Sequence, residues 1–175
     1  HMAVMVSDLL ELVRSRLGKS LPIERAPMDL ADAAHAAIAE ACAGNPECDP
    51  TVHVKGDTRG AWDAGRVSQL LQNLIGNALQ HGLNKRDVTV TLTGEPDTVR
   101  LTVHNYGAPI PEEAIGTIFD PLVRSADEQL GQPSTSLGLG LFIVKEVVDA
   151  HGGTIEVSSS EAEGTLFTVV LPRKV

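Results

Sequence analysis

Four uncharged polar residues recur every fourth position in "RVSQLLQNLIGNALQHG": Gln69, Asn73, Asn77 and His81. On a helix that spacing lines one face, while Leu70, Leu71, Leu74, Ile75, Ala78 and Leu79 cover the flanks. Asparagine is a poor mid-helix residue and is costly when buried without partners, so Asn73 and Asn77 on one face ask for a ligand. A carboxamide oxygen is a hard neutral donor, suited to a Mg²⁺ ion that keeps most of its charge for phosphate oxygens. The competing reading is a solvated polar face, although such a face would ordinarily carry Lys or Glu. A second signal is "SLGLGLFIVKEVVDAHGG", Ser136 to Gly153, which places Gly138 and Gly140 directly before an apolar, helix-like run. Those glycines serve either as a loose hinge or as a helix N-terminus left open, where backbone N–H groups and a partial positive charge receive an anion. A third stretch, "LGKS" at Leu17 to Ser20, looks like the tail of a phosphate-binding P-loop. That pattern needs a glycine five residues before the Gly-Lys pair, and position 13 is Val.

The elements that must hold these residues can be read in outline. With 175 residues, 42% of them apolar, the chain fits one domain with a real core, plus a short appendage. Its 14 basic residues against 23 acidic ones, a formal charge of −9, argue against a nucleic-acid partner. No apolar run approaches the ~18 residues of a membrane span and no signal peptide is evident, so no membrane contact by this fragment is expected. Cys42 and Cys48 lack metal-ligand spacing and read as two ordinary thiols in a reducing compartment. The opening His-Met looks like a cloning scar. Val6, Leu9, Leu10, Val13 and Leu17 then share one helical face that needs a partner, and Gly18 ends that helix. "KSLPIERAPMDL" reads as a linker because of its prolines, with residues 21–28 as its span. "DLADAAHAAIAEACAG" is a helix with Asp29 as N-cap, and His35 is a surface residue on it. "TVHVKGD" and "GAWD" read as strands, and Asp63 caps a helix running to about His81. Val88–Thr93 with Val99–Val103, and "TIEVSSS" with "TLFTVVLP", read as two hairpins. Between them, "APIPEEAIGTIFDPLVRSADEQLGQPSTS" is Pro-rich, weakly periodic and of the length of a lid. The pattern implies an α/β two-layer sandwich.

The order of these segments resembles the ATP-binding catalytic domain of bacterial two-component sensor histidine kinases, a Bergerat-fold family. "QNLIGNALQHG" resembles its N box, "HNYGAPIP" its first glycine box, "IFDPLVR" its F box, "LGLGLFIVKEVVDAHGG" its second glycine box and "GTLFTVVLP" its final strands. The resemblance implies a mixed, mostly antiparallel sheet packed on about three helices, with an ATP lid, over residues 29–175. Residues 1–20 similarly look like the scar plus the end of a dimerisation-bundle helix. By the same resemblance, Asn77 is the Mg²⁺ ligand and Asn73 its phosphate-side helper. His81 lies near the phosphates, where the usual preceding basic residue is Gln80 here, and Arg124 from the lid is a candidate to replace that charge. Gly138, Leu139, Gly140 and Leu141 supply a backbone phosphate cradle, Ser136 stands where the family often has another glycine, and Thr165 supports the adenine. Phe119 anchors the lid.

This sequence departs from the family at the first glycine box. Asn105 stands where an Asp carboxylate accepts from the adenine amino group, with Gly107, Pro109 and Ile110 completing the turn. An Asn oxygen can still accept that bond, whereas its NH₂ could also serve guanine O6. The combination resembles a bacteriophytochrome-like subgroup. Asn73 is informative because water-activating ATPases of the superfamily carry Glu there, so the amide favours phosphoryl transfer to a protein. The expected cofactors are ATP and Mg²⁺. The expected partners are the kinase's own phospho-acceptor bundle and a cognate response regulator, in a full-length homodimer whose kinase domain is cytoplasmic. None of His35, His53, His104 and His151 sits in the acceptor's helix-borne context, so the acceptor is expected outside this fragment. The alternative is a degenerate, non-catalytic nucleotide- or partner-binding module. A stand-alone kinase of a sigma-factor antagonist shares the fold, but the bundle-like first helix argues against it.

Overall fold

The computed structural model describes residues 2–122 and 138–174. Helix α1 (Met2–Arg16) leads to strand β1 (Ala26–Asp29), helix α2 (Leu30–Ala41), strands β2 (Thr51–Lys55) and β3 (Arg59–Trp62), and helix α3 (Ala64–His81). Then come β4 (Thr89–Gly94), β5 (Thr98–Asn105), the one-turn helix α4 (Glu112–Ile115), α5 (Gly140–Ala150), β6 (Thr154–Ser160) and β7 (Gly164–Pro172).

The main sheet has the order β2-β4-β5-β7-β6, with β2 parallel to β4 and every other pair antiparallel. Alternation decides which face is covered. Val90, Leu92, Val99, Leu101, Val103, Phe167, Val169 and Leu171 are buried, while Thr91, Thr102, His104 and Thr168 between them are half-exposed. Register stacks the buried set into rows, Val90 opposite Val103 opposite Phe167, and Leu92 opposite Leu101 opposite Val169. Helices α2, α3 and α5 close that face. Helix α3 buries Val67, Leu70, Leu71, Leu74, Ile75 and Ala78, and α5 buries Phe142, Ile143, Val144, Val147 and Val148. Each such large aliphatic side chain contributes roughly 1.5–3 kcal/mol on burial. The expected two-layer sandwich with a mixed, mostly antiparallel sheet is the fold observed.

Two features differ from the sequence reading. The stretch taken as a linker ends in a strand, because β1 pairs antiparallel with β3 as a separate ribbon, Ala26 opposite Trp62. Trp62 is fully buried and its Nε1–H donates to Pro172 O at 2.7 Å, which ties this ribbon to the main sheet. Pro27 in β1 is tolerated because a two-stranded ribbon has open edges. Secondly, Cys42 and Cys48 form a disulfide and are not free thiols. Two successive turns after α2, with Asn45 N–H donating to Cys42 O and Cys48 N–H to Asn45 O, fold the loop back and set the two Cα atoms 5.3 Å apart. Spacing six residues apart carries no hint of that turn geometry. Helix α1 docks through its opposite side, with Leu12 against the core, and leaves its apolar stripe uncovered, in keeping with the sequence reading. Val6, Leu9, Leu10, Val13 and Leu17 remain exposed, whereas Glu11 is buried against Arg66 of α3.

The lid region is described up to Leu122. Phe119 is half-buried against the core and packs edge-on to Phe167, with ring centroids 6.2 Å apart, as expected of an anchor. Arg124 and Ser136 lie outside the described residues.

Candidate functional site

Helix α3 is held rigidly at its first turn. Asp63 caps it, accepting from Arg66 N–H at 3.0 Å and from Glu24 N–H at 2.8 Å. Burial pushes the Asp63 carboxyl up, but those N–H donors and the Arg66 charge outweigh it and hold the group below its usual range. Behind the cap sits His151, fully buried at the end of α5. Its Nε2 accepts from Asp63 N–H at 3.1 Å and its Nδ1–H donates to Val147 O at 2.8 Å, a pattern that requires the neutral ring. Burial and the nearby Arg25 charge lower the His151 pKa accordingly.

Further along α3 the polar stripe divides. Gln69 is committed within the protein, accepting from Arg66 Nη1 at 3.1 Å and bonding Asp8 of α1. Asn73 and Asn77 are half-buried, and α5 begins directly against Asn73. A Cβ built on Gly140 would stand 3.6 Å from Asn73 Oδ1. This helix start contrasts with those of α2 and α3, which Asp29 and Asp63 cap. Its N-cap is Leu139, which makes no side-chain cap bond, and Gly138 before it has φ +71°, a conformation that favours glycine. Leu139 is buried, so its side chain anchors the turn in the core while its backbone serves the helix start; Leu141 is half-buried one residue past Gly140. Gly138 O accepts from Leu122 N–H at 3.0 Å, which joins the F-box segment to this turn.

The other wall lies at the end of β5. Asn105 is 4% exposed and stands opposite Thr165 in the β5–β7 register. Its Nδ2 donates to Tyr106 O at 3.3 Å, which commits an amide hydrogen locally. Gly107 follows against the C-terminal turn of α3, where a Cβ would meet His81 O at 2.3 Å, so only glycine fits. Leu83 N–H reaches across to Tyr106 O at 2.8 Å. Ile110 N–H donates to Ser159 Oγ at 2.9 Å, and Ser159 Oγ shares a 2.7 Å bond with Thr165 Oγ1. The first glycine box is thus laced to the final hairpin through Ser159, a residue that nothing in the sequence singled out: a serine in an alternating strand carries no signal of its own. Pro109 is exposed on this turn.

The donor set suits a phosphorylated ligand with its cation. Among the described residues no group of three or more His, Cys, Asp or Glu side chains could hold a metal ion. A hard cation here is offered the neutral amide oxygens of α3 and the ligand's own oxygens. The bare start of α5, with its glycine against Asn73, leaves room for an anion beside them.

Residues 62–175 match the family described as histidine kinase-, DNA gyrase B-, and HSP90-like ATPase. The chain belongs to this family. A probable sensor histidine kinase of Mycobacterium tuberculosis, TcrY, is 36% identical over 169 residues, covering 96% of this chain and 35% of that protein. The bacteriophytochrome of Pseudomonas aeruginosa is 32% identical over 158 residues, 90% of this chain and 21% of its own length. The chain therefore spans about a fifth to a third of these relatives. Among solved structures, the catalytic domain of histidine kinase ThkA superposes with a TM-score of 0.72 at 25% identity, covering 87% of this chain and 100% of that one.

Within this histidine kinase-like ATPase domain, the predicted residues fall into two groups. Asn73, Gly138 and Gly140 meet at the start of α5, and Asn105, Gly107, Ile110 and Thr165 meet at the end of β5, where the His81 backbone packs on Gly107. Gln80 and the His81 side chain are exposed, and Gln80 also lines a neighbouring groove with Glu40 and Cys48.

Proposed function

We propose that this domain holds Mg-ATP between α3, the start of α5 and the end of β5, and presents the γ-phosphate to a histidine on a helical bundle of the full-length sensor kinase. The observation that carries this reading is the uncapped start of α5, with Gly140 against Asn73. Among the described residues no side chain caps these first-turn N–H groups, and a phosphate is an acceptor they suit.

Asn77 holds the Mg²⁺ ion through its amide oxygen, and Asn73 orients the phosphates one turn earlier. Bound there, Mg²⁺ supplies charge neutralisation to the phosphate oxygens. Asn105 accepts from the adenine N6 amino group through Oδ1. The Nδ2 bond to Tyr106 O supports that orientation, because it turns the amide's donor end toward the protein. Thr165, with Ser159 behind it, supports the base, and Gly107, Pro109 and Ile110 shape the turn beneath it. Gly138 to Leu141 give the phosphate cradle, with His81, Gln80 and Arg124 as the polar groups around it. Catalysis is positioning: the γ-phosphorus–oxygen bond to ADP breaks as a bond to an imidazole nitrogen forms. An amide at position 73 cannot take a proton from water, which favours transfer over hydrolysis.

The exposed stripe of α1 from Val6 to Leu17 supports a bundle partner and a homodimeric full-length kinase, which passes its phosphoryl group to a response regulator. The use of ATP supports a cytoplasmic location. Calorimetric titration with ATP, ADP and GTP, each with and without Mg²⁺, tests the pocket. Magnesium-dependent adenine-nucleotide binding that exceeds GTP binding is expected, and no heat with any of the three overturns the reading. Restoring the bundle then tests the transfer, through acid-labile label on histidine.

A further inference from the structure

We propose that the Cys42–Cys48 disulfide is a reversible thiol–disulfide site that tunes nucleotide binding through the outer flank of α3. The inference rests on the nucleotide reading above for its functional output, and on separate geometry for its mechanism. A domain that uses ATP works where thiols are kept reduced, and a disulfide in such a compartment is characteristically a transient, redox-sensing one.

Three observations make the site suitable for cycling. Both cysteines are half-exposed, and Cys48 lines an open groove of about 460 Å³ with Glu40, Asn45, Gln72, Gly76 and Gln80, so an incoming thiolate can reach its sulfur. The bridged residues are only six apart, and the loop between them is held by its own turns, including Glu47 N–H to Asn45 Oδ1 at 3.1 Å. Reduction can therefore proceed without unfolding the domain. The loop also begins where α2 grips α3. Glu40, two residues before Cys42, accepts from Gln72 Nε2 at 2.7 Å, and Gln72 immediately precedes Asn73. Gly76, on the same groove wall, immediately precedes Asn77. Anything that loosens the end of α2 loosens the flank of the helix that carries both asparagines.

The chemistry needs a dithiol as co-reactant. Its thiolate attacks Cys48 Sγ, the S–S bond breaks and Cys42 leaves as thiolate; the dithiol's second thiolate then attacks the mixed disulfide and releases Cys48. Two electrons pass to the protein, the two cysteine thiolates take up the two protons, and the dithiol leaves as its own disulfide. Oxidation is the reverse, with a disulfide compound as acceptor.

The test compares the oxidised chain, the chain treated with dithiothreitol, and a Cys42→Ser/Cys48→Ser variant. Free thiols, amide hydrogen exchange of segments 39–50 and 70–80, and Mg-ATP affinity are measured on each. Reduction of the folded chain is expected to expose two thiols and to speed exchange in both segments. Mg-ATP affinity should weaken about fivefold, a typical coupling between sites. The double variant should match the reduced form and ignore dithiothreitol. If excess dithiothreitol releases no thiol from the folded chain, or releases both while segment 70–80 exchanges as before and Mg-ATP affinity holds, the proposal is overturned. If no form binds nucleotide, the proposed function fails, and the exchange of segment 70–80 alone decides whether the disulfide acts on α3.

Discussion

Helices α3 and α5 lie side by side on one sheet and begin in opposite ways. The start of α3 is closed: Asp63 accepts from Arg66 N–H in the first turn and from Glu24 N–H outside the helix, His151 accepts the N–H of Asp63 itself, and Arg66 turns away to Glu11. The start of α5 is open, with a leucine at the cap position and glycines on either side. The protein commits a carboxylate where it needs only rigidity and withholds one where a ligand must enter. An acid at the second position would have stabilised the helix and repelled a phosphate.

The largest expected effect comes from closing the open end. Gly140→Asp should cut ATP affinity about a hundredfold, near 2.7 kcal/mol, while the unfolding midpoint holds or rises. Retained affinity in calorimetry would mean that the start of α5 is not the phosphate seat. Opening the closed end should do the reverse: Asp63→Ala should cost about 1–2 kcal/mol in urea unfolding and leave nucleotide affinity nearly unchanged. Asn77→Ala sharpens the contrast within α3, because it should remove the Mg²⁺ dependence of ATP binding and weaken it about tenfold without loss of stability. The smallest effect is the pH response of the closed end. The folded His151 pKa is lowered below its unfolded value near 6.5, so its stabilising contribution is complete above that pH and is lost as pH falls through the folded value. Unfolding free energy should drop as pH falls below about 6.5, by up to about 1.4 kcal/mol per unit, and His151→Asn should flatten that response.

Much of this contrast was legible in the chain. Asp63 before a periodic apolar run reads as a cap, and Gly138 and Gly140 before another read as either a hinge or an open start, because local propensity and periodicity are properties of adjacent residues. Asn73 and Asn77 were legible for the same reason. What escaped notice depends on contacts between residues far apart. Gln69 belongs to the same stripe, yet Arg66 of its own helix and Asp8 of α1 claim it. Ser159 joins the site only because the β6–β7 register brings it to Thr165 while Ile110 folds down from 49 residues away. Nothing in the sequence marks Glu11, and docking of α1 buries it.

By itself, the sequence determined the α/β class, the capped start of α3, the asparagine face and the hairpins. Each follows from the spacing of neighbours along the chain, where period 2 or 3.6 and a cap residue suffice. Only the tertiary structure decided that Gly140 meets Asn73, that Gly107 must yield to His81 O, that residues 26–29 pair with β3, and that Cys42 joins Cys48. Those outcomes depend on how helices and strands stack and on where turns reverse the chain, and no local pattern encodes the distance between two atoms that packing brings together.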